Sequence, residues 1–320
     1  MHHSKMYSIL LALFLFIATG CGCNHASPTI TDLFSMQDST PPVLLSATAI
    51  NPSTLFFQFD EPIEAKTCML NANGRAVTQY LCNGKDVTVS LSNPMALATF
   101  CTIEGRVEDR RGNSCRFTTE VWAKNTHRAH VLINEFSTKG TENNPDRVEL
   151  LVTKGGNLAG ITLANGIGLN YTDRCILPDK TVSQGTFIVI SFQKGIVKEA
   201  FCSENLAGLS GNNGCIVVSE TPQFDSPLLD AVLYGNLTTT TFNGFGSSDL
   251  EKSAQSLCQC GQWDTVLASG SIDSTYSTST RSVCREKERD TNTLEDWYVT
   301  ETRMATFGAR NSDAHYEKAE

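Results

Sequence analysis

TLFFQFDEPI, residues 54–63, decides the fold class. Phe57 and Phe59 fall on one side of an extended chain, with Gln58 and Asp60 on the other. This is the period-two alternation of a half-buried strand. Phe56 interrupts the alternation without abolishing it. Upstream, PVLLSATAI (42–50) leads into the turn Asn51-Pro52-Ser53. Downstream, VTVSL (87–91), LATFCTIEG (97–105) and CRFTTEVW (115–122) read as further strands. Arg111-Gly112-Asn113 supplies a tight turn, because Gly and Asn tolerate the positive φ that such turns need. Short strands between turn signals predict a β-sandwich over 42–125.

The same signals continue after residue 129. VLINEF (131–136), DRVELLV (146–152), LAGITLANG (158–166), GTFIVIS (185–191), GCIVVSE (214–220) and LLDAVLYG (228–235) are strands by composition and spacing. Gly, Asn and Ser fill the intervals. A second sandwich over 129–311 is expected, with long loops at 192–213 and 236–281 and a polar tail at 312–320.

The amino terminus reads as an export signal. ILLALFLFIA (9–18) is an unbroken apolar run of about ten residues, too short to span a bilayer but suited to the apolar region of a signal peptide. Thr19, Gly20 and Cys21 follow. Small residues before a cysteine resemble the lipobox of bacterial lipoproteins, in a relaxed form with Ala18 where Leu is commonest. The resemblance implies that 1–20 is removed and that Cys21 carries a diacylglyceryl thioether and an acylated amino group. Two or three acyl chains hold a membrane where one does not. Ordinary cleavage after Ala18-Thr19-Gly20, releasing a soluble protein, is the alternative. Acylation at Cys23 would leave Cys21 inside the leader. Residues 21–41 are the lipidated terminus and a flexible tether, NHASPTITDLFSMQDSTP (24–41) lacking sustained periodicity. An anchor in the cell envelope follows, on the periplasmic face or the cell surface.

Two further resemblances concern the sandwiches. Pro42-Val43, FQFDEPIE (57–64) and VEDRRGN (107–113) resemble the bacterial Ig-like (SbsA-type) domains found in tandem on surface proteins. In the second half, Ile133-Asn134-Glu135, Val148-Glu149-Leu150 and Leu158-Ala159-Gly160 with Leu163 resemble, in order and spacing, the lamin-tail domain. Its ending is also similar: Ser282, Arg285, Asp290-Thr291-Asn292, Asp296-Trp297 and Phe307–Asn311, although Thr306-Phe307-Gly308 stands where that family has Thr-Pro-Gly. The expected fold is therefore all-β, two Ig-like β-sandwich domains behind a lipoprotein signal peptide and tether. Both families act mostly as spacers or binding modules, so neither resemblance implies a reaction.

Composition narrows the partners. The chain carries 25 basic and 34 acidic residues, and loss of Lys5 with the leader makes the balance more acidic. Phosphate binding needs clustered Lys and Arg, so nucleic acid is not expected. The twelve cysteines, behind an export signal, favour disulfides. Cys68, Cys82, Cys101 and Cys115 form one even group. Cys175, Cys202, Cys215, Cys258, Cys260 and Cys284 form a second. Spacing does not assign the pairs. Cys258-Gln259-Cys260 lacks Cys-x-x-Cys spacing and is read as contributing to two separate bridges.

No motif for catalysis emerges. Glu135, Asp146 and Glu149 lack the spacing of a calcium loop and are expected in surface salt bridges or turn hydrogen bonds. Asp290 and Asn292 are expected to cap turns. His127 and His130 are expected on the surface or in the linker. Gly208-Leu209-Ser210-Gly211 is not a nucleophile elbow, and Gly166-Ile167-Gly168 lacks the rest of a dinucleotide fingerprint. No cofactor and no metal are expected. The candidate binding loop is NLTTTTFNGFGSSD (236–249), where exposed Phe242 and Phe245 would anchor a partner; packing of both rings beneath the loop is the alternative. The polar run 268–280 is expected to be a mobile loop with Tyr276 as a lesser candidate. The reading is a non-catalytic envelope protein that binds a protein or glycan. An exported hydrolase or enzyme accessory, and a passive spacer, are the alternatives.

Overall fold

Alternation along the chain becomes layering in the computed structural model, which describes residues 38–65, 69–168, 171–193 and 200–318. The leader, Cys21, Cys23, most of the tether and Cys68 lie outside these residues. Met1–Thr40 and Pro41–Glu320 are separate units, and both sandwiches belong to the second. No helix among the described residues is long and apolar enough to cross a membrane.

The first sandwich comprises β1 (Leu44–Asn51), β2 (Thr54–Phe59), β3 (Met69–Ala72), β4 (Val77–Asn83), β5 (Asp86–Leu91), β6 (Phe100–Glu108) and β7 (Ser114–Trp122). One sheet runs β1-β2-β5-β4 and the other β3-β6-β7. The alternation read in β2 is realised: Leu55, Phe57 and Phe59 are buried while Gln58 is exposed. Their rings meet Phe117 of the opposite sheet, with centroids 6.0 Å from Phe57 and 5.8 Å from Phe59. Val87, Val89, Ile103, Val107 and Val121 complete this core. The Arg111–Asn113 turn forms as expected. Gly112 takes φ +88°, and the Asp109 carboxylate accepts from the amides of Arg111 and Asn113.

The second sandwich is larger. Its strands are β8 (His130–Ser137), β9 (Arg147–Lys154), β10 (Gly156–Asn157), β11 (Thr162–Asn165), β12 (Asp173–Ile176), β13 (Thr181–Val182), β14 (Phe187–Ser191), β15 (Phe201–Cys202), β16 (Gly214–Ser219), β17 (Leu228–Gly235), β18 (Ile272–Asp273), β19 (Val283–Arg285) and β20 (Trp297–Val299). A six-stranded sheet β15-β14-β9-β8-β19-β20 faces a five-stranded sheet β12-β11-β16-β17-β18. Phe136 from one layer packs on Tyr234 from the other at 5.4 Å, and on Trp297 at 5.6 Å.

The all-β class therefore holds, with one addition. Part of the expected 236–281 loop is a helix, α1 (Ser248–Gln259). Leu250, Ala254 and Leu257 recur at helical spacing and are buried against the core, next to β16. Ser247 caps its amino end, its Oγ accepting from Leu250 N at 3.2 Å, and Asp249 and Glu251 complement the helix dipole. Ser247→Ala is expected to destabilise the protein by about 1 kcal/mol. Urea denaturation followed by circular dichroism measures it.

The 268–280 run is pinned, which corrects its reading as a mobile loop. Ser271, Ile272, Ser274 and Ser277 are buried. Ser274 Oγ donates to Asn212 O at 2.6 Å, and Lys139 Nζ donates to Ser274 O at 2.8 Å and Ser277 O at 3.2 Å. Serine hydroxyls and one lysine satisfy the irregular backbone, so a polar sequence is compatible with burial. The tail is also engaged: Glu301 N donates to Ala314 O at 3.0 Å, Tyr316 N to Val299 O at 2.8 Å, and His315 stacks on Tyr298.

Candidate functional site

The sequence offered two chemically suggestive groups, the acidic residues of β8 and β9 and the aromatic loop. They have opposite fates.

Register places Glu135 directly opposite Glu149 on adjacent strands. A bulge between Ile133 and Glu135 breaks the alternation of β8, and everything from Ile133 to Ser137 is buried. Both glutamates are fully buried, and Asp146 is nearly so. For the two glutamates the expected surface role is corrected, because a segment from the far end of the chain covers them, whereas Asp146 makes the loop hydrogen bonds that were one of its expected roles. Thr306 donates to Glu135 through its amide at 3.0 Å and through its hydroxyl at 3.1 Å, and Ser282 Oγ adds a third bond. Glu149 accepts from Gly308 N and, at 2.7 Å, from Asn134 Nδ2. Asn311 donates back to Asn134 O at 3.1 Å, and Arg147 lies over the Phe307 ring at 4.1 Å. Burial pushes the Glu149 carboxyl up to about 7, and the neighbouring Glu135 adds to the effect. Burial raises Glu135 as well. Two carboxylates with raised proton affinity form the usual raw material of acid–base catalysis. Here donors of the chain itself occupy their oxygens, so the pair serves as the lock of a carboxy-terminal strap. Asp146 plays a similar part, accepting from Gly140 N at 2.6 Å and Leu209 N at 2.8 Å.

A second polar anchor lies alongside. Arg285 is buried and donates to Asp230 at 2.6 Å, Ile133 O at 2.7 Å and Asp290 at 3.1 Å, while its guanidinium covers Trp297 at 4.5 Å. Asp290 is thus an ion-pair partner. Asn292 Nδ2 donates to Gly261 O at 2.9 Å, joining two turns. His127 and His130 are exposed.

The aromatic loop divides. Phe245 is 4% exposed and belongs to the core, correcting its reading as an exposed anchor; Asn213 Nδ2 holds its carbonyl at 3.2 Å. Phe242 stands 52% exposed in a 3-10 turn, Phe242–Gly244, at φ +47°. A bulky residue in the left-handed region carries strain of about 1–3 kcal/mol, and such outliers cluster at sites of function. Asn243, also at positive φ, ties the turn to α1 by donating to Glu251 at 2.7 Å. The turn abuts a second one, Ala268–Gly270, where Gly244 faces the Ala268 methyl. Leu267, 62% exposed, precedes that second turn, and Val266 and Leu237 are exposed nearby in the chain. Phe242 and Leu267 are thus both exposed at turns that pack on one another. Tyr276 is half-buried in a different group, against Tyr316 at 5.5 Å and within 5.6 Å of Lys318 Nζ. Sequence reasoning found Phe242. It missed Val266 and Leu267, which carry no signal until the second turn is folded against the first.

Cys101, Cys115, Cys175, Cys202, Cys215, Cys258, Cys260 and Cys284 are free thiols in the structure. Disulfide formation stays an expectation. Cys284 is buried against Ser282 and Glu135, and Cys215 against Ser253.

A family model described as the TP_1001 protein second domain matches residues 129–207 and 199–299. No curated protein matches the chain. Among solved structures, the N-terminal part of the bacterial S-layer protein SbsC is 14% identical, covering 61% of this chain and 43% of that one, with a TM-score of 0.23. A structure of SbsC domains 1–6 is 11% identical over 62% of this chain and 41% of that one, with a TM-score of 0.22. Dimeric latent PorU from Porphyromonas gingivalis is 13% identical over 65% of this chain and 21% of that one, with a TM-score of 0.19. The chain spans less than half the length of each of these three.

Proposed function

We propose that this chain, which belongs to the TP_1001 protein second-domain family, is a lipid-anchored, non-catalytic binding module of the bacterial cell envelope. The exposed Phe242 ring, with exposed Leu267 beside the adjoining turn, carries the reading. An exposed ring on strained backbone contributes nothing to the core, and its use is to bury against a partner. The partner is a protein. Leu237, Val266 and Leu267 gain only by hydrophobic burial, whereas a glycan site needs polar groups arranged around a flat ring. The second sandwich is read as lamin-tail-like, supported by the way Glu135 and Glu149 receive Thr306 and Gly308 from the closing motif. Its sealed carboxylates favour binding over hydrolysis. Anchoring rests on the lipobox and Cys21.

Phe242→Asn tests the surface. Asn tolerates positive φ, so stability is expected to stay within about 0.5 kcal/mol or to rise. In a Cys21→Ser background, which removes membrane partitioning, the chain is expected to bind washed envelope saturably. Phe242→Asn is expected to weaken that binding at least about tenfold, or 1.4 kcal/mol. Equal binding by both proteins overturns the surface. Radiolabelled palmitate tests the anchor: incorporation is expected in the native chain and lost in Cys21→Ser. An unlabelled native chain overturns it.

A further inference from the structure

Cys175 and Cys202 sit where the two layers of the second sandwich meet. β12, which carries Cys175, is the edge strand of the five-stranded sheet, and β15, which carries Cys202, is the edge strand of the six-stranded sheet. The chain after β15 is fastened to β12 by several bonds. Glu204 N donates to Arg174 O at 2.7 Å, and Arg174 Nε meets the Glu204 carboxylate at 3.0 Å. The buried Asp173 carboxylate accepts from Ser203 Oγ at 2.6 Å and from the amides of Asn205 and Ala207, each at 2.9 Å. These contacts bracket both cysteines, one residue after Arg174 and one before Ser203.

We propose that Cys175 and Cys202 form a disulfide that staples the two sheets of the second sandwich at this edge. Burial pushes the Cys175 thiol up to about 12, and the neighbouring Cys202 adds to the effect. The other buried thiols have different company. Cys215 meets Ser253, Cys284 meets Ser282 and Glu135, and Cys101 meets Arg75.

Exposure sets the order of the chemistry. Cys202 is exposed and Cys175 is buried, so Cys202 reacts first with an external disulfide. With oxidised glutathione as oxidant, the Cys202 thiolate attacks one sulfur of the glutathione disulfide and expels a glutathione thiolate. The Cys175 thiolate then attacks Cys202 Sγ in the mixed disulfide and expels the second glutathione. Two thiol protons and two electrons leave the protein, and two molecules of reduced glutathione form. The bridge closes the chain from 175 to 202 into a loop, which restricts the unfolded state.

The full-length chain in detergent is incubated with oxidised glutathione, quenched in acid, alkylated and digested without reduction. Mass spectrometry is expected to find the Cys175 and Cys202 peptides joined, and separated by a reductant. Cys175→Ser is expected to leave Cys202 as a stable mixed disulfide with glutathione. Alkylation of both cysteines after oxidation, or either one bridged to a different cysteine, overturns the proposal. These outcomes are independent of envelope binding by Phe242.

Discussion

Asp230→Ala is expected to destabilise the protein by about 3–5 kcal/mol at neutral pH, the cost of leaving a buried charge without its partner. Asp230 and Arg285 are both almost wholly buried, and they meet at 2.6 Å. Arg285 reaches β17 through Asp230, β8 through the carbonyl of Ile133 and the 286–296 segment through Asp290 and the carbonyl of Arg289. Removing the carboxylate strands the guanidinium among groups that cannot replace it, since Asp290 is half-exposed. The amide of Ile133 also loses its acceptor, which stood at 2.6 Å. Urea denaturation measures the effect. Replacing both residues with apolar ones, Asp230→Leu with Arg285→Met, is expected to recover much of the loss, because the desolvation penalty leaves together with the attraction. A single substitution costing under about 1 kcal/mol would contradict the pair's role.

The second large effect is a stability that falls as pH rises. The folded Glu149 carboxyl sits at about 7, above its ordinary value of 4.5. Below 4.5 both the folded and unfolded forms hold the proton, and the stability from this group is complete. Between 4.5 and 7 the folded chain keeps a proton that the unfolded chain has lost, so stability declines with pH. Each pH unit corresponds to about 1.4 kcal/mol, giving about 3 kcal/mol across the window. The charges facing this group are Glu135, opposite it and itself raised by burial, and Arg147, which acts the other way. Glu149→Gln is expected to flatten the profile by roughly that amount relative to the native chain while retaining an acceptor for Gly308 N. Melting curves from pH 4.5 to 8 on both proteins check this. Parallel profiles would mean that Glu149 is ionised at neutral pH after all.

Much of the architecture was legible because β-strands write their burial into the local sequence. Every strand expected around Phe57, Val89, Ile133, Leu150, Ile190, Ile216 and Val232 formed, since alternation and β-branched content act within a few residues. Helix α1 was missed although its marks were present: Ser247 before the first turn, acidic residues within it, and Leu250, Ala254 and Leu257 at helical spacing. Ser, Gln and Cys between these positions weakened the pattern. Phe242 and Phe245 looked equivalent in sequence. Their separation depends on which ring the turn directs at the core, a consequence of the positive φ at Phe242 and Asn243.

The strand pattern, the all-β class and the shortage of basic charge are legible in the sequence alone. Each is a property of neighbouring residues or of composition. The burial of Glu135 and Glu149 emerges only on folding. Their burial needs a bulge in β8, a register that sets them opposite each other, and Thr306 and Gly308 arriving from more than 150 positions away in the chain. A carboxylate looks like a surface group until its donors are found. Those donors are backbone amides, which every sequence contains and none advertises.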